Sequence, residues 1–140
     1  YNQSTLLARP LALAHRLPFS TRCLTRSRET ASQVTLTAAE RRTNVHGAFW
    51  ANPVLVKGKS ILVVDDIWDS GRTIMTVKGR TEAVGGVVET AVLHYKPGQS
   101  FFAREGPNYY AAITHKWIVY PWEIDRGRDL MMRPLVPVLS

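Results

Sequence analysis

Residues 60–73 read SILVVDDIWDSGRT, and the interpretation of the whole chain turns on them. Ile61 to Val64 is a continuous apolar run rather than an alternating one, the pattern of a strand covered on both faces in a parallel sheet. Asp65 and Asp66 follow at its carboxyl end, where open α/β sheets bind ligands. Asp69-Ser70-Gly71-Arg72-Thr73 comes next, and helical spacing follows it. Gly71 permits a tight turn, Ser70 and Thr73 supply hydroxyls, and the unpaired N–H groups of the next helix point at the same spot. Paired carboxylates suited to a diol, beside a cradle suited to a phosphate, describe a site for a phosphorylated ribose.

Two other readings compete. VVDD could be a polar strand end and nothing more. A receiver domain also opens on an ILVVDD-like strand, but it needs a phosphoacceptor Asp at the end of a later strand. Residues 104–110 read REGPNYY and contain no Asp, which sets the receiver aside.

The order of hydrophobic strand, two acidic residues, two spacers and D-(S/T)-G-x-T resembles the signature of the type I phosphoribosyltransferases. The resemblance implies a Rossmann-like parallel sheet flanked by helices, with a small base-binding hood from the carboxyl-terminal segment. It also implies that Asp65 and Asp66 hold the ribose hydroxyls of phosphoribosyl pyrophosphate (PRPP). Ser70, Gly71, Arg72 and Thr73 would then cradle its 5′-phosphate. In the 6-oxopurine members the Asp opening the turn lies near N7 of the base, which makes Asp69 the candidate catalytic residue.

The composition is compatible with this and excludes little else. The chain of 140 residues, 45% hydrophobic and 21% charged, reads as a single globular domain over residues 1–140 with a real core. Its apolar runs are too short to span a bilayer, no signal peptide is visible, and one cysteine, Cys23, forms no internal disulfide. A cytoplasmic location, no membrane partner and a homo-oligomer are the expectations. The formal charge of +7 suits nucleic acid and polyanionic small substrates equally, so charge alone does not decide. No aromatic residues interleave with the Arg-rich stretch as a single-strand binding platform requires, and nucleic acid is therefore the less favoured partner.

Taken in order, Tyr1 to Arg16 reads as a helix that Pro10 should kink or whose true start it should mark, and Phe19 to Thr25 as a strand. Arg22 to Arg42 is basic and polar, with capping-box spacing at Thr37 to Glu40, and suits either a solvated loop or a cationic flap over pyrophosphate. This half resembles ComF-type competence proteins through Asn2-Gln3 and then Arg26, Arg28, Thr30, Gln33, Leu36, Glu40, Arg41, Asn44, Val45, Gly47, Ala48 and Phe49. Trp50 to Gly58 reads as an irregular crossing. Thr73 to Val84 reads as a helix with Ile74, Val77 and Val84 on one face, ended by Gly85-Gly86. Val87 to His94 reads as a strand less buried than Ile61 to Val64. Residues 125–133 read as a charged peripheral segment, and the tail from Pro134 as a strand or loose end.

From Tyr95 onward the chain resembles the bacterial and archaeal xanthine-guanine phosphoribosyltransferases, through Tyr95-Lys96-Pro97-Gly98 and then Trp117-Ile118-Val119-Tyr120-Pro121-Trp122-Glu123. That likeness implies that Lys96 reads the 6-oxo group of a purine, Trp117 stacks on its ring and the Ile118 backbone meets its exocyclic edge. Glu123 matches an acidic position near the pyrophosphate and metal. The physics agrees, because a planar base needs a π-face and a few directional polar groups. Trp122 with Pro121 reads as structural, and His94 and His115 show no metal-ligand spacing.

The implied reaction moves ribose 5-phosphate from PRPP to a purine base with release of pyrophosphate, and a nucleoside monophosphate would occupy the same site. Mg²⁺ is the implied cofactor, held through substrate oxygens with Asp66 and Glu123 as the candidate protein ligands. The alternatives are a ComF-like role in DNA uptake and a nucleotide-sensing regulator without turnover. Both resembling families place a strand and a pyrophosphate loop before the helix that opens this chain, so an amino-terminally incomplete domain lacking the first strand is expected.

Overall fold

The computed structural model describes residues 3–26 and 48–123, and the fold is built from these. The anticipated strand at Ile61 to Val64 forms within a longer one, β3 (Ser60–Trp68), preceded by β1 (Leu24–Arg26) and β2 (Phe49–Ala51) and followed by β4 (Val87–Tyr95) and β5 (Tyr109–Ile113). The helices are α1 (Gln3–Ala14), the single turn α2 (Pro53–Val56) and α3 (Arg72–Ala83), with a 3₁₀ turn at Pro121–Glu123. β3, β4 and β5 make a parallel sheet in that order, with Asp65 opposite Val92 and Trp68 opposite Tyr95. β1 and β2 pair antiparallel in a separate small ribbon. The strand–helix–strand run from β3 through α3 to β4 is the parallel crossover that the sequence pattern implied.

The core forms where α3 meets the sheet: Val63 and Trp68 of β3, Ile74 and Val77 of α3, Val88 and Val92 of β4. Burying each such aliphatic side chain contributes about 1.5–3 kcal/mol. Thr81 completes the inner face of α3, where Val84 was expected. Its hydroxyl donates to the Val77 carbonyl at 2.8 Å, which satisfies the polar group inside the core. α1 packs on β3 with Pro10 inside the helix.

Three expectations are corrected. β4, not β3, is the more buried strand: Val88, Thr90, Ala91 and Val92 are buried, whereas Leu62 of β3 is exposed. β4 has a partner on each side, and a central strand is shielded whatever its composition. The expected strand from Phe19 contracts to Leu24–Arg26, because Ser20 Oγ accepts from the Arg22 and Cys23 N–H groups and holds a turn there. The crossing at Trp50 to Gly58 is more regular than expected. Asn52 caps α2 by accepting from the Val54 N–H at 3.0 Å, and Pro53 occupies the first helical position. The expected flap and short helix of residues 27–42, and the segments from residue 125 onward, lie outside the described residues.

Candidate functional site

β3 continues through the acidic pair to Trp68, so Asp65 and Asp66 lie inside the strand and not beyond it. The extension follows from pairing, since β4 keeps its register as far as Tyr95. Asp65 Oδ1 accepts from the Ser4 hydroxyl of α1 at 3.1 Å and from the Asp66 N–H at 2.9 Å. Burial, and then the charge of Asp66 beside it, push the Asp65 carboxyl from 3.8 up to about 7.

The sign of the pH dependence follows. A carboxyl whose folded pKa is raised binds more protons in the folded state. Its contribution to stability is complete below 3.8 and is lost as pH rises through about 7. The urea midpoint of the ligand-free protein should therefore fall between about pH 4 and pH 7, and Asp65→Asn should flatten that slope. An unchanged slope in the variant would show that Asp65 titrates normally.

The turn after β3 is built around Gly71, at φ 83°, immediately before α3. A Cβ there would lie 2.4 Å from Nε1 of Trp68, so glycine is required both by backbone conformation and by space. Ser70 Oγ accepts from the Arg72 N–H at 3.3 Å, and no side chain caps α3. The first N–H groups of α3 and its dipole thus face the turn, as an anion requires. Asp69 is exposed, while Ser70, Arg72 and Thr73 are half-buried.

Trp68, one of the two spacers in the motif, was not singled out from sequence, yet it is 1% exposed and anchors the turn. Its ring meets Tyr95 and Phe102 edge-on, at 6.0 and 6.3 Å. Its indole N–H donates to Ser100 Oγ at 3.0 Å. The Phe101 N–H donates to the Ser70 carbonyl at 3.0 Å, and the Arg72 guanidinium lies over the Phe101 ring at 4.2 Å. The loop after β4 is in this way fastened to the phosphate-type turn.

The same edge carries the base-reading candidates. The Lys96 N–H donates to the Trp68 carbonyl at 2.9 Å, and Lys96 Nζ lies over the Trp117 ring at 5.8 Å. Lys96 is 6% exposed and Trp117 43% exposed, so the lysine is enclosed while the indole keeps open surface. Ile118 and Tyr120 are buried beside them. The Tyr120 hydroxyl donates to the Asp66 carbonyl at 3.2 Å. Its oxygen also lies 2.8 Å from His94 Nδ1, a hydrogen-bonded pair whose donor is set by the histidine tautomer. Burial first, and then the charge of Lys96, hold the His94 pKa below 6.5, which favours the neutral imidazole. The Trp122 indole N–H donates to Asp66 Oδ2 at 3.3 Å, and its ring stacks on Tyr120 at 4.8 Å and 6°. His94 and Trp122 therefore belong to the site's framework. The signal available in the sequence was that a buried indole needs a partner for its N–H.

Among the described residues no group of three or more His, Cys, Asp or Glu is arranged to hold a metal. Mg²⁺ in nucleotide sites uses one or two carboxylates plus substrate oxygens, and the hard oxygens of the Asp66 carboxylate are of that kind.

Residues 7–126 match the model of the phosphoribosyl transferase domain. The chain belongs to that family. Over 77 residues it is 35% identical to the DNA utilization protein YhgH of Escherichia coli O157:H7 and 35% identical to that of Salmonella typhi. These alignments take in 55% of this chain and 34% of each relative, so the match spans about a third of the curated relatives' length. The chain is also similar to a purine phosphoribosyltransferase from Pyrococcus horikoshii Ot3, at 35% identity and a TM-score of 0.43, over 48% of this chain and 43% of that one. Among the described residues, no helix is long and apolar enough to cross a membrane.

Proposed function

We propose that this domain transfers ribose 5-phosphate from PRPP to a 6-oxopurine base and releases pyrophosphate. The observation that carries the reading is a single link, the Lys96 N–H donated to the Trp68 carbonyl. It joins the Lys96–Trp117 pair to the strand that bears Asp65 and Asp66 and to the Gly71 turn. A base stacked on Trp117 and a ribose on the carboxylates would then share one edge of the sheet.

In this reading N9 of the base attacks C1 of the ribose, the bond from C1 to pyrophosphate breaks, and the pyrophosphate departs with the electron pair. The acidic pair stabilises the positive charge that develops on the sugar. Asp69 takes up the proton displaced near N7 of the base. The N–H groups at the start of α3, with Ser70 and Thr73, hold the 5′-phosphate, and Arg72 adds a cation beside it. Asp66 and Glu123 would hold Mg²⁺, whose positive charge would offset that of the pyrophosphate. Lys96 donates to the 6-oxo oxygen, which favours oxo over amino purines, and alignment of base and sugar supplies much of the acceleration.

The test separates base from sugar. Trp117→Ala should weaken guanosine 5′-monophosphate binding by about 1–3 kcal/mol, the range for losing an aromatic stacking partner. PRPP binding should be nearly unchanged. Parallel weakening of both ligands would mean that Trp117 supports the fold and does not read the base.

The similarity to proteins named for DNA utilization favours a second reading, a ComF-like role without base transfer. That reading expects single-stranded DNA affinity falling steeply with salt, and no purine selectivity at Lys96 and Trp117.

A further inference from the structure

We propose that Trp122, braced by Tyr120, is a positioning residue that sets the orientation of the Asp66 carboxylate. The inference deepens the proposed function and rests on its assignment of Asp66 to the ribose and Mg²⁺. Asp66 is gripped at two points by one short segment: Tyr120 donates to its backbone carbonyl at 3.2 Å, and Trp122 donates to its Oδ2 at 3.3 Å. Two contacts of this kind, one to the main chain and one to the carboxylate, fix both the Cα and the terminal torsion.

The donors are themselves held. Tyr120 is buried, is hydrogen-bonded to His94 Nδ1 at 2.8 Å, and stacks on Trp122 with its ring nearly parallel, at 6°. Tryptophan supplies a donor and no acceptor, so it can bond a carboxylate and cannot compete with it for a cation. Donation to Oδ2 leaves Oδ1 and the remaining lone pairs of Oδ2 for a hydroxyl or a hydrated ion. Trp117 and Ile118 lie in the same segment as Tyr120 and Trp122, so the element that would read the base also aims the carboxylate that would hold the sugar.

The experiment is a double-mutant cycle read by titration of PRPP with Mg²⁺, on wild type, Trp122→Phe, Asp66→Ala and the double variant. Trp122→Phe keeps a ring to stack on Tyr120 and loses only the N–H. It should weaken binding roughly tenfold, the scale of a hydrogen bond to a charged group, with the melting temperature little changed. In the Asp66→Ala background, which has no side-chain oxygen to orient, the same substitution should have almost no further effect, because the two residues act as one unit. Tyr120→Phe, which keeps the stack and removes the hydroxyl, should show the same dependence on Asp66 and serves if Trp122→Phe does not fold. A full, additive loss in the Asp66→Ala background, or no loss in either single variant, would overturn the proposal. Wild-type protein that ignores PRPP would remove the phosphoribosyl reading itself, and this inference with it.

Discussion

Replacing Asp65 and Asp66 together by Asn should abolish the thermal stabilisation that PRPP with Mg²⁺ confers on the wild-type protein. A ligand that binds only the folded state stabilises it by about 2.7 kcal/mol at a hundredfold excess over Kd. For a domain of this size that is a rise of roughly 5–10 °C. The substitution should not harm the ligand-free fold. Asn keeps an oxygen to accept from Ser4 and from Trp122, and it removes the charge that burial and Asp66 disfavour at Asp65. The two readouts therefore move independently, with the ligand-free melting temperature held or raised above about pH 7 and the ligand shift lost. An equal shift in the double variant would remove the ribose-binding assignment.

Gly71→Ala should be among the most damaging single changes. A non-glycine residue at φ 83° bears strain of about 1–3 kcal/mol. The new Cβ would also meet Trp68 Nε1 at 2.4 Å and Cε2 at 2.5 Å. Trp68 cannot retreat, because it is 1% exposed and its N–H is bound to Ser100. A combined loss above about 3 kcal/mol is expected, with overpacking added to strain. Gly58 supplies the control. It sits at φ 73° with nothing within 4 Å of a built Cβ, so Gly58→Ala carries the strain alone, about 1–3 kcal/mol without the overpacking. Urea unfolding of the two variants checks the contrast, and equal midpoints would show that the Trp68 contact yields freely.

What could be read from the sequence was local. The strand, the acidic pair, the glycine of the turn and the helix after it are neighbours in the chain, and each has a residue type that its backbone or ligand geometry demands. The parallel sheet followed from the apolar run and the crossover helix. Contacts between distant residues were not legible. Trp68 looked like a spacer because its partners Ser100 and Phe102 come from the loop after β4. Trp122 looked structural because Asp66, to which it donates, lies 56 residues away. His94 looked inert until Tyr120 was placed against it. The depth of β4 depended on β5 pairing along its far side, which the composition of VVETAVLH does not encode. Lys96 illustrates a mixed case, since its position after the strand was readable but its enclosure under Trp117 was not.

The measurement that bears most directly on the central claim is pyrophosphate release from PRPP in the presence of Mg²⁺, followed with and without guanine. Release should depend on the base, yield guanosine 5′-monophosphate in equal amount, and disappear in the Asp65→Asn, Asp66→Asn double variant. Saturable PRPP binding with no base-dependent release, in a protein that binds single-stranded DNA in a salt-sensitive manner, would contradict it.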